Sequence, residues 1–335
     1  MNPLRRFIFR LLLFLAIPAS LLGVVFGLYQ KRFPIEQSLY AASVDKHRLL
    51  QTQAAPRMIF VGGSSMAFGL DSGHVAGRCG YHPVNMGLIM ATGLELMLQE
   101  VSPWVRPGDV VVLSPEYQLL ERYYHGEPEY LARLLECHPS LLRALSWSQL
   151  KELLDRGYLH HTGRVLRTVG GQFEGILDGI TNAYNHRGAF NANGDVIAHH
   201  GVQGHREQRG RVEFNASPIA LAAVEHLNRF HAECQAKGVR VFFSHPPYEK
   251  AWFDVQFAAI SKADRFLRER LTIPFLDSAE EMTFPSEQMF DTEYHLNLDG
   301  IRRRSNLMAE RLTQALAAPP PTPRLSSSIQ TGDKP

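Results

Sequence analysis

The chain has 335 residues, of which 45% are hydrophobic, 20% charged and 10% aromatic. This balance is typical of a folded globular protein and excludes a disordered one. The length is two to three times the commonest domain size of ~100–150 residues, so a sizeable core can form. Lys and Arg number 35 against 33 Asp and Glu, which leaves a net charge of +2. No basic run with interleaved aromatic residues occurs, and we therefore expect no nucleic-acid partner.

The cysteine and histidine patterns argue against a metal centre. The 3 cysteines allow at most one disulfide and include no Cys-x-x-Cys pair. The doublets His160-His161 and His199-His200 lack the i, i+4 spacing that lets two imidazoles share a metal on one face of a helix. We interpret these histidines as solvated loop residues, and we expect neither a metal nor an organic cofactor.

The first 32 residues have the pattern of a membrane anchor. Residues 11–29 form an apolar run without a charge, which matches the ~20 residues that a helix needs to cross a bilayer. The apolar core of a cleaved signal peptide is shorter and ends at a site of small residues. We therefore predict an uncleaved anchor over residues 1–32. The alternative is a buried hydrophobic helix of the soluble domain.

The charges that flank the run predict its orientation. Arg5, Arg6 and Arg10 precede it, and short basic flanks stay on the cytoplasmic side. Lys31 and Arg32 follow it and weaken this argument. We predict a single-pass protein of the cytoplasmic (inner) membrane, with its globular domain on the periplasmic or extracytoplasmic side.

Strand and helix patterns alternate along the rest of the chain. Buried strands are predicted at residues 57–63, 109–116, 239–247 and 273–278. Between them we predict helices: one after a capping box at Thr92–Glu95, one from Ser217-Pro218 to Gly238, and a last one beginning near Asn297. This alternation predicts an α/β fold with a mostly parallel sheet, in a three-layer α/β/α arrangement like that of flavodoxin.

Two segments interrupt this alternation. Residues 118–215, approximately, contain helical pieces followed by a passage rich in Gly, Asn and His. We interpret this segment as an insertion in an α/β domain that covers residues 33–316. It could be a lid or substrate wall, or a surface loop without a role, and the sequence favours neither. The tail, residues 317–335, is rich in Pro and Ser, and we predict that it is disordered.

Two segments far apart in the chain contain the residues of a serine nucleophile site. Ser64 follows the first predicted strand and two glycines, at the strand edge where open α/β sheets place their sites. His295 lies just before the last helix, with Asp291 and Glu293 preceding it. A serine hydroxyl needs an imidazole to remove its proton, and the imidazole needs a carboxylate to orient it. Each motif alone is also compatible with a capped turn or a structural histidine.

At these positions the chain resembles the SGNH, or GDSL-type, hydrolases, in the branch with membrane-anchored proteins that modify bacterial cell-surface polysaccharides. The family's Gly-Asp-Ser turn corresponds to Gly62-Gly63-Ser64. Its oxyanion glycine after the second strand corresponds to Gly87, and its closely spaced Asp and His to Asp291 and His295. The resemblance covers residues 57–316, apart from the insertion. It implies that Ser64 is the nucleophile, His295 the base and Asp291 the orienting acid.

The chain departs from the family pattern at three positions. Gly63 stands where the family has Asp, and Glu116 lies in the region where the family has an oxyanion Asn. Losing an oxyanion donor costs ~10²–10³ in rate, so either Asn85 or the N–H groups of Ser64 and Gly87 substitute, or the activity is low. One extra residue separates Asp291 from His295, which makes Glu293 the alternative acid.

Three functions are compatible with these features. The first is an anchored esterase or O-acyltransferase, most plausibly for acetyl groups, whose partners are an acylated carbohydrate polymer or an acyl donor and proteins of polysaccharide biosynthesis. The second is a catalytically degenerate binding or assembly subunit of a polysaccharide machine, which Gly63 and Glu116 favour. The third is a lipid-directed esterase, for which the anchor is the only argument.

Overall fold

The structure is a computed structural model that describes residues 3–32, 35–157, 163, 184–202, 204, 214 and 221–318. The helices of the described residues are α1 (Pro3–Arg32), α2 (Ala42–Thr52), α3 (Ser64–Phe68), α4 (Ser72–Arg78), α5 (Leu94–Val101), α6 (Pro128–Cys137), α7 (Trp147–Glu152), α8 (Leu221–Ala236), α9 (Lys250–Arg270) and α10 (Leu298–Ala317). The strands are β1 (Arg57–Val61), β2 (His82–Asn85), β3 (Val110–Leu113), β4 (Arg240–Phe243), β5 (Tyr248–Glu249) and β6 (Thr283–Phe284).

The central sheet is parallel and has the strand order β2-β1-β3-β4. Ile59 of β1 pairs with Val84 on one side and with Val111 on the other. The strand predicted at 273–278 appears only as a parallel bridge from Phe275 to Phe243, at the β4 edge. The predicted α/β class with a mostly parallel sheet is therefore confirmed.

The two faces of the sheet are buried in two separate apolar clusters. On β1, Ile59 and Val61 belong to one cluster, which also contains residues of α5, α8 and α9. Met58 and Phe60 belong to the other, which contains residues of α4 and α10. Successive residues of a strand point to opposite faces, so a strand that is buried on both sides must be apolar throughout, as Met58–Val61 is.

The helix starts show one prediction that is right and one that is wrong. Asn297 is the N-cap of α10, and its side chain accepts hydrogen bonds from the N–H groups of Asp299 and Gly300. The predicted capping box at Thr92–Glu95 does not form. Gly93, at φ 90°, precedes the first residue of α5, and the Thr92 hydroxyl instead donates back to the carbonyl of Ile89. A backbone in the left-handed region favours glycine at this junction.

The N-terminal helix fits the predicted anchor. Residues 3–25 of α1 contain an 18-residue stretch with a mean hydropathy of 2.3, and none of that stretch is buried against the rest of the protein. The helix is long and apolar enough to span a membrane. The predicted disordered tail lies, from residue 319 onward, outside the described residues.

Candidate active site

The carboxyl ends of the parallel strands bring Ser64 and Glu116 to one edge of the sheet. Ser64 is the first residue of α3, which begins after β1 and the two glycines of the turn. Glu116 lies in the segment that follows β3, the strand that pairs with β1. Side chains that are far apart in the sequence come together at this edge, because the carboxyl ends of parallel strands all lie there.

The backbone N–H and the hydroxyl of Ser64 are both available to form hydrogen bonds. Ser64 is half-buried at the start of α3, whereas Ser65 is fully buried. Within the described part of the chain, neither the Ser64 N–H nor its Oγ has a hydrogen-bond partner. An unpartnered hydroxyl beside an unpartnered N–H is the minimum that a serine nucleophile needs to attack a carbonyl and to hold the resulting oxyanion.

The turn that bears Ser64 rests on the carboxylate of Glu116. Oε2 of Glu116 accepts the Gly63 N–H at 3.0 Å, and Oε1 accepts the Ser65 N–H at 2.8 Å. Glu116 is completely buried. A Cβ added at Gly63 would lie 2.6 Å from each of these oxygens. The carboxylate therefore occupies the space that any side chain at position 63 would need.

The other end of α3 is held by Arg304 of α10. Its Nη1 donates to the carbonyls of Ser65, at 2.8 Å, and Gly69, at 3.3 Å. Its Nη2 donates to the Ser114 hydroxyl at 3.0 Å. Burial lowers the pKa of the Arg304 guanidinium to about 10, so it remains charged at neutral pH. The sequence offers one signal for this role, because Arg304 interrupts the apolar stripe of α10 between Ile301 and Met308.

The other two predicted oxyanion donors, Asn85 and Gly87, already donate their hydrogens to internal acceptors. Both amide hydrogens of Asn85 are committed, one to the Met66 carbonyl at 3.0 Å and one to Asp195 Oδ1 at 2.7 Å. The Gly87 N–H donates to Asn85 Oδ1 at 2.9 Å. Of the three predicted donors, the Ser64 N–H alone lacks an acceptor.

Asp291 and His295 are joined in the loop before α10. Nδ1 of His295 donates to Asp291 Oδ1 at 2.7 Å. The loop folds back on itself, because the Phe290 N–H donates to the His295 carbonyl and the Thr292 hydroxyl accepts the His295 N–H. This turn accommodates the extra residue. Glu293, the alternative acid, is buried, and its charge also acts on the imidazole of His295.

Phe68 positions the imidazole against the nucleophile helix. The rings of His295 and Phe68 are stacked, with centroids 4.5 Å apart and planes 11° from parallel. Phe68 lies one helical turn after Ser64, on the same face of α3, and a helical side chain leans toward the N-terminus. Within the described residues no hydrogen bond joins Ser64 to His295. Such catalytic hydrogen bonds are often long before substrate binds.

The carboxylates around His295 make it more basic. Burial alone would lower the pKa of the imidazole, but the attraction of Asp291 and its hydrogen bond, followed by the charges of Glu116 and Glu293, raise the pKa above its ordinary value. The effect of Glu116 ties the two halves of the site together electrostatically. The same carboxylate that accepts hydrogen bonds from the Ser64 turn thus also raises the pKa of the imidazole.

One described part of the insertion, residues 184–202, is held by hydrogen bonds to residues near the candidate site. The buried carboxylate of Asp195 accepts hydrogen bonds from the Asn85 amide and from the N–H and hydroxyl of Ser72. Lys46 of α2 donates to the carbonyls of Asn85 and Gly194. Burial lowers the pKa of the Lys46 ammonium to about 7. These contacts hold this part of the insertion against β2 and α4, next to the candidate site.

The interpretation of His199 as a solvated loop residue is wrong. The side chain is 1% exposed, its Nε2 donates to the Leu296 carbonyl at 3.1 Å, and its ring contacts those of Phe68 and Phe290. Burial lowers the pKa of the His199 imidazole to about 4. The doublet His160-His161 lies outside the described residues.

The described residues contain no group of three or more His, Cys, Asp or Glu side chains placed to hold a metal ion. No protein-family model matches the chain, and no curated protein is significantly similar to it.

Proposed function

We propose that this chain is a membrane-anchored serine esterase or O-acyltransferase of the SGNH type that acts on a cell-surface polysaccharide. One observation supports it most. Ser64, with Oγ and N–H both open, begins a helix whose last residue, Phe68, stacks on an imidazole that Asp291 orients. The nucleophile comes from one segment and the base and acid from another far along the chain, and the stacking of His295 on Phe68 links the two.

The chemistry follows from these groups. Ser64 Oγ attacks the ester carbonyl while His295 Nε2 takes the hydroxyl proton, and Asp291 stabilises the imidazolium that forms. The Ser64 N–H holds the oxyanion. The tetrahedral intermediate collapses with loss of the alcohol, which receives the proton from His295, and leaves an acyl group on Ser64. Water then yields hydrolysis, and a polymer hydroxyl yields transfer.

The fold and the termini support the wider proposal. Apolar clusters on both faces of the parallel sheet support a three-layer α/β/α arrangement. The basic residues that precede the apolar run of α1 favour a globular domain on the periplasmic side of the inner membrane. In that location an acylated carbohydrate polymer, an acyl donor and the proteins of polysaccharide biosynthesis are the partners that fit.

A second candidate is the catalytically degenerate binding or assembly subunit. The commitment of Asn85 and the Gly87 N–H to internal hydrogen bonds favours it, because one backbone N–H is a minimal oxyanion hole. A positioned donor contributes ~10²–10³ in rate. A site with a single donor is therefore expected to react slowly or not at all.

Covalent labelling of the full chain in detergent separates the two candidates. We expect an active-serine phosphonate to attach to the wild-type protein at Ser64, as read by mass spectrometry of the peptide. Ser65→Ala should label normally, because the Ser65 hydroxyl is buried and unpartnered. Ser64→Ala should not label. A folded wild-type chain without label would favour the binding subunit. Turnover of an acetylated sugar against a lysophospholipid then distinguishes polysaccharide from lipid substrates.

A further inference from the structure

The backbone hydrogen bonds around Ser64 alternate in an unusual way. Glu116 takes the N–H groups of Gly63 and Ser65, the two neighbours of Ser64 in sequence. The N–H between them is left without an acceptor among the described residues. The carboxylate holds the 62–63 and 64–65 peptide groups, which flank the peptide group between Gly63 and Ser64, and so restricts the direction of the Ser64 N–H.

The same carboxylate explains why position 63 has no side chain. A Cβ there would lie 2.6 Å from both Glu116 oxygens and 2.8 Å from the Met90 Cα. Contacts this short cannot be relieved by a small shift when one partner is backbone. The segment after β3 thus supplies the carboxylate that supports the turn. Glu116 can occupy this place only because residue 63 is a glycine.

Arg304 completes the arrangement at the opposite end of the helix. The carboxylate lies at the N-terminus of α3 and the guanidinium at its C-terminal carbonyls. Each charge is complementary to the partial charge of the helix end that it contacts. A helix of 5 residues has little stability of its own, so these two side chains determine its position.

We propose that Glu116 and Arg304 are positioning residues that clamp the nucleophile helix, with Glu116 paired to Gly63 as a single structural unit. The clamp keeps the Ser64 N–H and Oγ side by side, open to the substrate. Its catalytic consequence rests on the proposed function. The clamp itself is a statement about the fold and can be tested without turnover.

The first test replaces Glu116 by its isostere. Glu116→Gln retains the volume but presents one acceptor oxygen to two N–H groups, so the turn should shift. We expect phosphonate labelling of Ser64 to slow by about 10²-fold, the usual effect of a misplaced reacting group. The pH at which labelling is half-maximal should fall, since a charge that favours the imidazolium of His295 is removed.

Glu121→Gln is the matched control, because Glu121 follows in the same segment and has a buried Oε1 without a partner. It should change neither the rate nor the pH profile. Arg304→Lys, which cannot reach both carbonyls in the same way, should also slow labelling, and Arg302→Lys on the exposed face of α10 should not. A folded Glu116→Gln chain with the wild-type rate and pH profile would overturn the clamp.

The second test exchanges the carboxylate between the two positions. Gly63→Asp alone should strongly lower the unfolding temperature, because the new side chain meets the carboxylate of Glu116. Glu116→Ala alone should lower it as well. Combined, the two changes should be more stable than Gly63→Asp alone, with part of the labelling rate restored. A double variant no more stable than Gly63→Asp alone would refute the pairing. If the wild-type chain does not label at all, the proposed function fails, while this stability cycle still tests the pairing.

Discussion

The imidazole of His295 lies flat on the ring of Phe68, with 4.5 Å between the centroids. This contact joins the last loop of the domain to the helix that begins with Ser64. Phe68 is itself almost fully buried, in a cluster with Ala189 and Val196 of the insertion. The position of the His295 imidazole therefore depends on three segments that are far apart in sequence.

Removing the aromatic face should loosen the base. Phe68→Leu retains an apolar side chain but loses the stacking, which is worth ~0.5–1.5 kcal/mol. We expect a slower reaction of Ser64 with the phosphonate, with the chain still folded. The rate of labelling and the unfolding temperature are the measurements. Phe257→Leu, at a side chain that is 50% exposed on α9, is the control and should change neither quantity.

Ser64 and His295 should act as one unit. Ser64→Ala and His295→Ala are each expected to abolish esterase or transferase activity, and the double variant should be no worse than either single one, since removal of one member already disables the pair. Activity assays of the three variants at equal folded concentration check this. Additive losses would show that the two side chains contribute independently. Loss of activity on Ser65→Ala instead would place the nucleophile one residue later.

The orienting acid should be Asp291 and not Glu293. Nδ1 of His295 bonds to Asp291, and an amide in place of a triad carboxylate can stabilise the wrong tautomer and lower kcat by ~10⁴. We therefore expect a severe loss for Asp291→Asn and a slight one for Glu293→Gln. Steady-state kinetics measure both. Equal slight losses would mean that His295 works without a carboxylate, and the reverse order would move the role to Glu293.

The raised pKa of His295 should determine how kcat/KM changes with pH. The base form is needed, so kcat/KM should fall below a pH that lies above the ordinary value of ~6.5. Removing the charge of Asp291 should move this limb to lower pH. The same raised pKa also makes the free energy of unfolding depend on pH. The stabilisation that His295 contributes is fully present below ~6.5 and is lost as the pH rises through the folded-state pKa.

Much of the fold could be predicted because it is encoded locally. The apolar strand at Met58–Val61 and the N-cap at Asn297 are short patterns with one physical reading each. The partners of Ser64 could not be predicted in this way. In the sequence Gly63 and Glu116 are two separate departures from the pattern that the chain resembles, and only the three-dimensional structure shows that they are in contact.

The anchoring of residues 184–202 could not be predicted from the sequence for a similar reason. A buried Asp195 needs partners from Asn85 and Ser72, and these lie more than a hundred residues earlier in the chain. Polar residues in a Gly- and Asn-rich passage are typical of loops, and nothing local distinguishes a pinned loop from a free one. The sequence gives no sign of the role of Lys46 either, because lysine side chains are mostly exposed in folded proteins.

Lys46 should nevertheless prove essential for the anchoring of residues 184–202. Lys46→Met leaves the carbonyls of Asn85 and Gly194 without their donor, and each buried unpaired group costs about 1–3 kcal/mol. We expect a lower free energy of unfolding and faster amide exchange in residues 184–202. Lys151→Met, at an exposed lysine of α7, is the control. Unchanged exchange in this segment would show that it is held by its apolar contacts alone.

The orientation of the anchor decides which substrates the site can reach. Three arginines before the apolar run of α1 (Arg5, Arg6 and Arg10) outnumber the two basic residues after it (Lys31 and Arg32), and the more basic flank of a span remains in the cytoplasm. A reporter that is active only outside the cytoplasm should therefore work when it is fused after Pro335, and a reporter that is active only inside should not. Replacing the three arginines by glutamine should invert part of the population, whereas replacing Lys31 and Arg32 should not. A reporter active only in the cytoplasm that works on the unaltered chain would place Ser64 on the cytoplasmic face, out of reach of a polymer at the cell surface.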